Sequence, residues 1–571
     1  MNIPLLYHTI RHLKPRQILG QVQYRIQSVL ENPVRYSARK SPDFPGCKWE
    51  PLKPFLPPGI QGNDTADILA GRMTFINRTE EIGWPPEWNR TDLPKLWQYN
   101  LNYFEWLWVL DYEEAKAVTL DWIVNHQLAK GHVGWEAYPI SLRLMNWCTV
   151  FWGRYRSEIE RDQAFQCQLW QSVYLQCQWL GNHLETRLLG NHYFENAAAL
   201  AFAGSCFEGA DARRWMDNGL SILQEQIPEQ ILSDGMHFEL SPMYHSRILY
   251  LLAILYATGH PLLQSLAIEP MDRMVRALKC VSHPDGRIAL FNDSAFGIYN
   301  EPSWLLDYCG HLLERDYSSP DYGCFALPEA GYYGWRDSSG NYLICDAGKI
   351  GSDYIPGHAH ADMLGFELSI AGRRMTVDTG VHDYEVSQTR RYCRSTSAHN
   401  TLEIDGLDQC EMWGAFRVGR RGYPIDVNWQ PSADRFRLVA AHNGYKRLPG
   451  SPVHRRIFQW NSKVGLKVFD RIDGGRKFMA KSRIHFHPDC KIERLKDGVY
   501  EAKGANAFKI NVFYDCKSYL ETSSYHPEFG VNLTRQTLVI ESQRSVSGYC
   551  IGIAHSSQLT AHSSQLIAHS S

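Results

Sequence analysis

The chain has 571 residues, enough for two to four domains, and its 44% hydrophobic and 21% charged residues exclude a fibrous or largely disordered protein. Lys and Arg number 59 and Asp and Glu 61, a formal charge of -2 that removes any global electrostatic case for nucleic acid or an anionic membrane and leaves only local basic patches. Aromatic residues reach 12%, with 18 Trp and 30 Tyr, whose flat faces suit sugar rings as well as tightly packed helices.

The chain opens with MNIPLLYHTIRHLKPRQ, where His8, Arg11, His12 and Lys14 interrupt what would be the apolar core of a signal peptide, so no conventional export signal is expected. From about residue 100 to 280 apolar residues recur at three- and four-residue spacing, as in Ala115, Val118 and Trp122, which predicts helices. Turn signals at 131–134, 181–182, 209–211, 233–235 and 259–261 divide this run into helices of about 12–25 residues joined by short loops, hence antiparallel helical hairpins. The long apolar run 248–257 falls well short of the roughly 18 residues a membrane span needs, and no span is expected. After about residue 328 the pattern becomes alternation, as in Phe366, Leu368 and Ile370 or Phe508, Ile510 and Val512, punctuated by Asp-Gly turns at 405–406, 473–474 and 497–498. An antiparallel β domain is predicted there, with the boundary inside 315–331. A polar heptad repeat, AHSSQL, starts at Ala554 and predicts a loose tail over 556–571 rather than a histidine metal site. The 14 cysteines lie singly, with no CxxC pair, and read as buried thiols.

Three clusters carry candidate chemistry. In GNHYFEN at 190–196 an Asn191 cap would open a helix and set His192 and Glu195 three apart on one face; the same pattern fits a plain capped helix start. In DGMHFELSPMYH at 234–245, Glu239, Ser241, Tyr244 and His245 stand at the mouth of the apolar 248–257 segment. Polar groups there meet either a ligand or the helix start that Ser241 and Pro242 would form. The third cluster joins GHAHAD at 357–362, DTG at 378–380 and HN at 399–400. On a strand His358 and His360 share a face, and a sheet can bring Asp378 and His399 alongside, two histidines and a carboxylate of the kind that binds zinc.

GNHYFENA at 190–197, SPMYH at 241–245, PDGRIALFNDS at 284–294, GHAHADMLGFEL at 357–368, VDTG at 377–380 and STSAHNTLEIDG at 395–406 come in the order of the motifs of one family. With them the chain resembles the heparinase II/III-like polysaccharide lyases from about residue 95 to 545. The resemblance implies an α+β multidomain fold, with an incomplete (α/α) toroid over 95–320 followed by an antiparallel β-sandwich over 328–555. The leading segment, 1–94, is similar to that of relatives associated with bacterial exopolysaccharide or surface-polysaccharide production. By the same resemblance Asn191 neutralises a substrate carboxylate, Tyr244 is the central acid/base, His192 and His358 complete the catalytic group, and Glu195 stands where a further active-site carboxylate can lie. His360, Asp378 and His399 become the ligands of one zinc ion that supports the site rather than performing the chemistry. The implied location is the periplasm or cell envelope, with the cytoplasm as the alternative that the missing export signal suggests.

The implied reaction is β-elimination in an acidic, uronate-containing polysaccharide. It removes the proton beside the carboxylate and expels the oxygen at carbon 4, so donors must stabilise the developing enolate. A tyrosine hydroxyl, which titrates near 10, is a base at neutral pH only where cationic or donor groups stabilise its phenolate, a role open to His192 or His358. For the other epimer the base is a histidine on the opposite ring face. Two further readings stay open: a glycoside hydrolase using Glu136 or Asp234 with Glu239, and a non-catalytic polysaccharide-binding or assembly factor. Arg143 and Arg287, with Trp97, Trp135 and Tyr138, are candidates for holding acidic sugars, set against helix packing and surface ion pairs.

Overall fold

Helices fill the first half of the chain and antiparallel sheets the second in the computed structural model, which describes residues 3–30, 41–49, 51, 53–59, 62–503, 508–514 and 516–553. The expected tail at 556–571 lies outside the described residues.

Where the links are short the helices pack as hairpins. Only Phe207 and Glu208 separate the helix Gly190–Cys206 from Gly209–Gln230. Where these two meet, a Cβ on Gly204 would lie 2.5 Å from the Met216 nitrogen and one on Gly219 2.5 Å from the Ala197 carbonyl, so glycine lets the backbones touch. Helix Pro242–Ala257 packs in the same way on Pro261–Cys280. It is buried almost all round, which explains a sequence apolar on every side rather than along one stripe. No described helix is long and apolar enough to cross a membrane.

The last helix, Pro302–Leu313, gives way to the first strand of the β half, Gly323–Leu327. A five-stranded sheet then runs in chain order through Tyr332–Arg336, Tyr342–Asp346, Phe366–Ile370 and Arg373–Thr376. A bridge between Thr376 and Phe486 joins its edge to a four-stranded sheet, and an eight-stranded sheet packs on the pair through Phe458, Trp460, Val468 and Tyr549. This is an incomplete (α/α) toroid followed by an antiparallel β-sandwich.

Alternation holds along Val453–Asn461, whose odd and even positions differ in burial. It fails in Tyr342–Asp346 and Phe366–Ile370, which are buried at every position. The five-stranded sheet is covered twice: Leu343 and Cys345 face the sandwich core while Tyr342 and Ile344 belong to the core of the helical half. Polar groups trapped in that junction are paired. The Tyr342 hydroxyl donates to the Cys280 carbonyl at 2.6 Å, the Tyr332 hydroxyl to the Leu240 carbonyl at 2.7 Å, and His283 lies 2.7 Å from Glu367 and 2.8 Å from the Ser369 hydroxyl. The shared core holds toroid and sandwich in one arrangement, which a site built from both requires. The expectation of uniformly buried thiols is corrected in part: nine of the 14 cysteines are buried, but Cys167 is exposed, because it falls on the outer side of Gln163–Asn182.

Candidate active site

The site begins at a sharp turn. Leu189 and Gly190 both take left-handed φ values, 64° and 58°, and a Cβ on Gly190 would lie 2.6 Å from Ile355 and 2.7 Å from Glu239 Oε1. Glycine is therefore needed for conformation and for room. The helix starts at Gly190 with Leu189 in the cap position, so the expectation that Asn191 caps it is corrected. Instead the Asn191 backbone N–H donates to Glu239 Oε1 at 2.9 Å, a carboxylate at the positive end of a helix. The buried Asn191 side chain keeps Oδ1 without a partner among the described residues. His192 follows, its Nδ1 3.0 Å from Glu185 Oε1. Burial disfavours the imidazolium, but the charge and hydrogen bond of Glu185 outweigh it and hold His192 above the usual histidine value. The His192 ring lies 4.4 Å from that of Tyr138.

Ser241 caps the helix Pro242–Ala257, its hydroxyl donating to the Asp293 carbonyl at 2.7 Å and accepting the Tyr244 N–H at 3.3 Å. His245 is likewise structural, with Nε2 2.9 Å from the Met274 carbonyl. Tyr244, in the first turn, places its hydroxyl 2.9 Å from that of Tyr384, a residue of the β half that nothing in the sequence had marked. Burial first, then the neighbouring Tyr384 and Tyr299, push the Tyr244 phenol well above the usual tyrosine value.

The expectation that His358 and His360 share a strand face is corrected: they lie in the 347–365 connection between Tyr342–Asp346 and Phe366–Ile370. Asn292 and Asp293 shape that loop. The Asp293 N–H donates to the His358 carbonyl at 3.0 Å and the His360 N–H to Asn292 Oδ1 at 2.9 Å. The Asp293 carboxylate then takes His358 Nδ1 at 2.9 Å, His360 Nε2 at 2.8 Å and both terminal nitrogens of Arg390. Burial favours the neutral acid, but Arg390 and the two histidines hold Asp293 well below the usual carboxylate range. The two histidines therefore serve different places. His358 stacks on Tyr244, ring centroids 3.9 Å apart, with Nε2 3.5 Å from Glu239 Oε2. His360 stands beside His399, ring centroids 5.2 Å apart.

One donor atom from each of His360, Asp378 and His399 lies within 4.8 Å of the others. His360 Nδ1 and His399 Nε2 are buried without partners among the described residues, while His399 Nδ1 is held 2.8 Å from Asp378 Oδ2. Two orphaned imidazole nitrogens beside a carboxylate fit a divalent cation, since buried lone pairs are otherwise left unsatisfied. Burial, partly offset by Asp293, lowers His360 to about 4, so its ring is neutral at neutral pH as a ligand must be.

Several sequence candidates fall elsewhere. Glu195 is fully buried and both its oxygens bind Arg247, at 2.6 and 3.2 Å, so it is half of an internal ion pair. Arg143 is also buried, bonded to Gln176 at 2.9 Å and the Asn102 carbonyl at 3.1 Å, with its guanidinium 4.1 Å over Trp122. Trp97 and Trp135 are core residues whose indole N–H groups donate to the Arg78 and His126 carbonyls. Arg287 lies at the surface over Phe296, and of this aromatic and basic set only Tyr138 touches His192. The two carboxylates offered as hydrolase partners of Glu239 have other partners. Asp234 is committed to a turn, accepting the Met236 and Ala330 N–H groups at 3.1 and 2.9 Å, and Glu136 is held by Lys95 and the Tyr99 hydroxyl. Asp293 and Tyr384 are the site residues that sequence reasoning missed; Asp293 stood inside PDGRIALFNDS, but Arg390 lies 97 positions away.

Residues 96–303 match the family model described as Heparinase II/III N-terminus, and residues 320–558 the one described as Heparinase II/III-like, C-terminal. The chain belongs to the heparinase II/III family. This family member is 29% identical over 336 residues to the heparin-sulfate lyase of Pedobacter heparinus, covering 54% of this chain and 48% of that one. It is 28% identical over 411 residues to the heparin-sulfate lyase of Bacteroides thetaiotaomicron, covering 62% and 56%. The chain thus spans about half the length of the curated relatives it matches. Among solved structures, Heparinase III superposes with a TM-score of 0.70 at 18% identity over 98% of this chain and 95% of that one. The heparan sulfate lyase HepC of Pedobacter heparinus superposes with a TM-score of 0.60 at 20% identity over 95% and 89%. Both carry the heparinase II/III fold found here.

Proposed function

We propose that this chain is a lyase that cleaves an acidic, uronate-containing polysaccharide by β-elimination. The observation that carries the reading is the stack of Tyr244 on His358 at 3.9 Å across the junction of the two halves, with Glu239 reaching both His358 and the Asn191 backbone. The Asn191 amide and the His192 ring, whose charged form Glu185 favours, neutralise the substrate carboxylate and so acidify the proton beside it. Tyr244 is a phenol in the free protein and is ready to protonate the departing oxygen at carbon 4. To remove the first proton it needs the phenolate stabilised once substrate closes the cleft, and His358, in ring contact, is the group placed to do so. Asp293 accepts from His358 Nδ1 and leaves Nε2 turned toward Glu239, the ring nitrogen placed to act as base for the epimer whose proton lies on the opposite face. His360, Asp378 and His399 would hold zinc, which supplies structural support next to the His358 loop.

The relatives named heparin-sulfate lyases make a glycosaminoglycan the first substrate to try, and the leading segment adds an acidic bacterial exopolysaccharide. The deciding experiment incubates the protein with heparan sulfate, alginate and acidic exopolysaccharides and follows ultraviolet absorbance. A rise from the unsaturated uronide supports the lyase. Cleavage to saturated ends without that rise makes it a hydrolase, and bound, uncut polymer makes it a binding factor.

A further inference from the structure

The helix Pro15–Leu30 lays its polar side on the protein. Gln17 Nε2 donates to the Leu188 and Tyr354 carbonyls, both at 3.1 Å, Gln27 Nε2 donates to the Asn182 carbonyl at 3.1 Å, and Gly20 closes against Thr186. Its apolar stripe points outward: Leu19 is 69% exposed, Val22 52%, Ile26 53% and Val29 77%. Ile3, Tyr7 and Ile10 of the preceding helix, Ile3–Ile10, are exposed at the same spacing. A surface helix ordinarily buries such a stripe and wets its glutamines, so this inverted arrangement marks a contact surface.

Charge says what kind. Neither helix contains an acidic residue, and the first 40 residues hold seven Lys and Arg against one acid, Glu31, in a chain whose net charge is -2. Lys14 and Arg16 pair with Glu229 and Glu225. Arg25 is exposed on the same helix, Lys130 donates to the Ser28 carbonyl at 2.9 Å, and Arg187 lies 4.4 Å over the Tyr24 ring, so cations rim the stripe.

We propose that the outward face of these two helices docks on the surface of an anionic lipid bilayer, with Leu19, Val22 and Val29 entering the interfacial zone and the rim cations meeting headgroup phosphates. A second copy of the chain fits less well, since a symmetric contact sets the same positive rim against itself. An acidic polysaccharide matches the cations but offers no apolar phase. The helices lie on the bilayer and do not span it, and the inference is independent of the reaction proposed above.

The test floats the full-length protein with phosphatidylglycerol–phosphatidylcholine vesicles and with phosphatidylcholine alone. We expect flotation with the anionic vesicles, reduced at least about fivefold by molar salt. The triple variant Leu19→Glu, Val22→Glu, Val29→Glu should weaken it at least about tenfold. The variant Arg25→Glu, Lys130→Glu should weaken only the salt-sensitive part. Circular dichroism of both variants should match the wild type, as the changes fall on exposed side chains. Three results overturn the proposal: no flotation of wild type at low salt, flotation unchanged in the triple variant, or a wild-type dimer by light scattering that the triple variant splits.

Discussion

The rings of Tyr244 and His358 stack 3.9 Å apart at an interplanar angle of 29°, one carried by the first turn of a toroid helix and the other by a loop of the sandwich. Neither half of the chain contains the pair. Its spacing is set from a distance, by Ser241 and Asn292–Asp293 on the helical side and by the doubly covered five-stranded sheet behind the loop. The proposed chemistry therefore depends on the junction between the halves as much as on the residues assigned to it.

Replacing Tyr244 by Phe removes the hydroxyl and keeps the stack. Turnover should fall by about 100-fold or more, with the melting temperature and substrate affinity near wild type, because a general acid/base is lost and packing is not. Initial rates by ultraviolet absorbance check this, and near-normal turnover would reassign the role of Tyr244.

Glu195→Gln separates an active-site carboxylate from a buried structural one. It strips the charge that Arg247 faces in the interior and leaves the longer 3.5 Å contact of Arg247 with Glu105. Urea denaturation should show a loss of about 3–5 kcal/mol, while the protein that remains folded keeps most of its specific activity. Full stability with turnover abolished would place Glu195 in the chemistry after all.

The pairing of His192 with Glu185 has a definite pH signature. The folded pKa of His192 is raised, so its contribution to stability is fully present below the unfolded value of about 6.5 and fades as pH rises through the folded value. The gap in melting temperature between wild type and His192→Asn should thus be widest near about pH 6 and narrow toward about pH 9. A gap that widens with pH contradicts the assignment of Nδ1 as the charged partner of Glu185.

Elemental analysis of the purified protein should find one zinc per chain, and the His360→Ala, His399→Ala double variant should carry none. Chelation should lower the melting temperature of the wild type and leave that of the double variant unchanged. A metal-free wild type, or a double variant with full occupancy, rejects the site.

The sequence by itself determined the order of toroid and sandwich, because apolar periods of 3.6 and 2 are the side-chain repeats of helix and strand, and the cap Ser241–Pro242 because a capping signal needs only neighbours. Its motifs also offered His358, His360, Asp378 and His399 as one cluster, and the family resemblance they carry picked out His360, Asp378 and His399, whose donor atoms converge. It could not say what any buried polar group faces. Glu195 and Asn191 occupy the same first turns of one helix, yet one is matched to Arg247, 52 positions away, and the other keeps its side-chain Oδ1 without a partner among the described residues while its backbone N–H meets Glu239. Asp293 finds Arg390 at a separation of 97 and Tyr244 finds Tyr384 at 140. Only the tertiary structure decided these pairs. A charge inside a protein must be met by a partner or a ligand, and which one it meets is set by how distant elements pack, information that no local spacing contains.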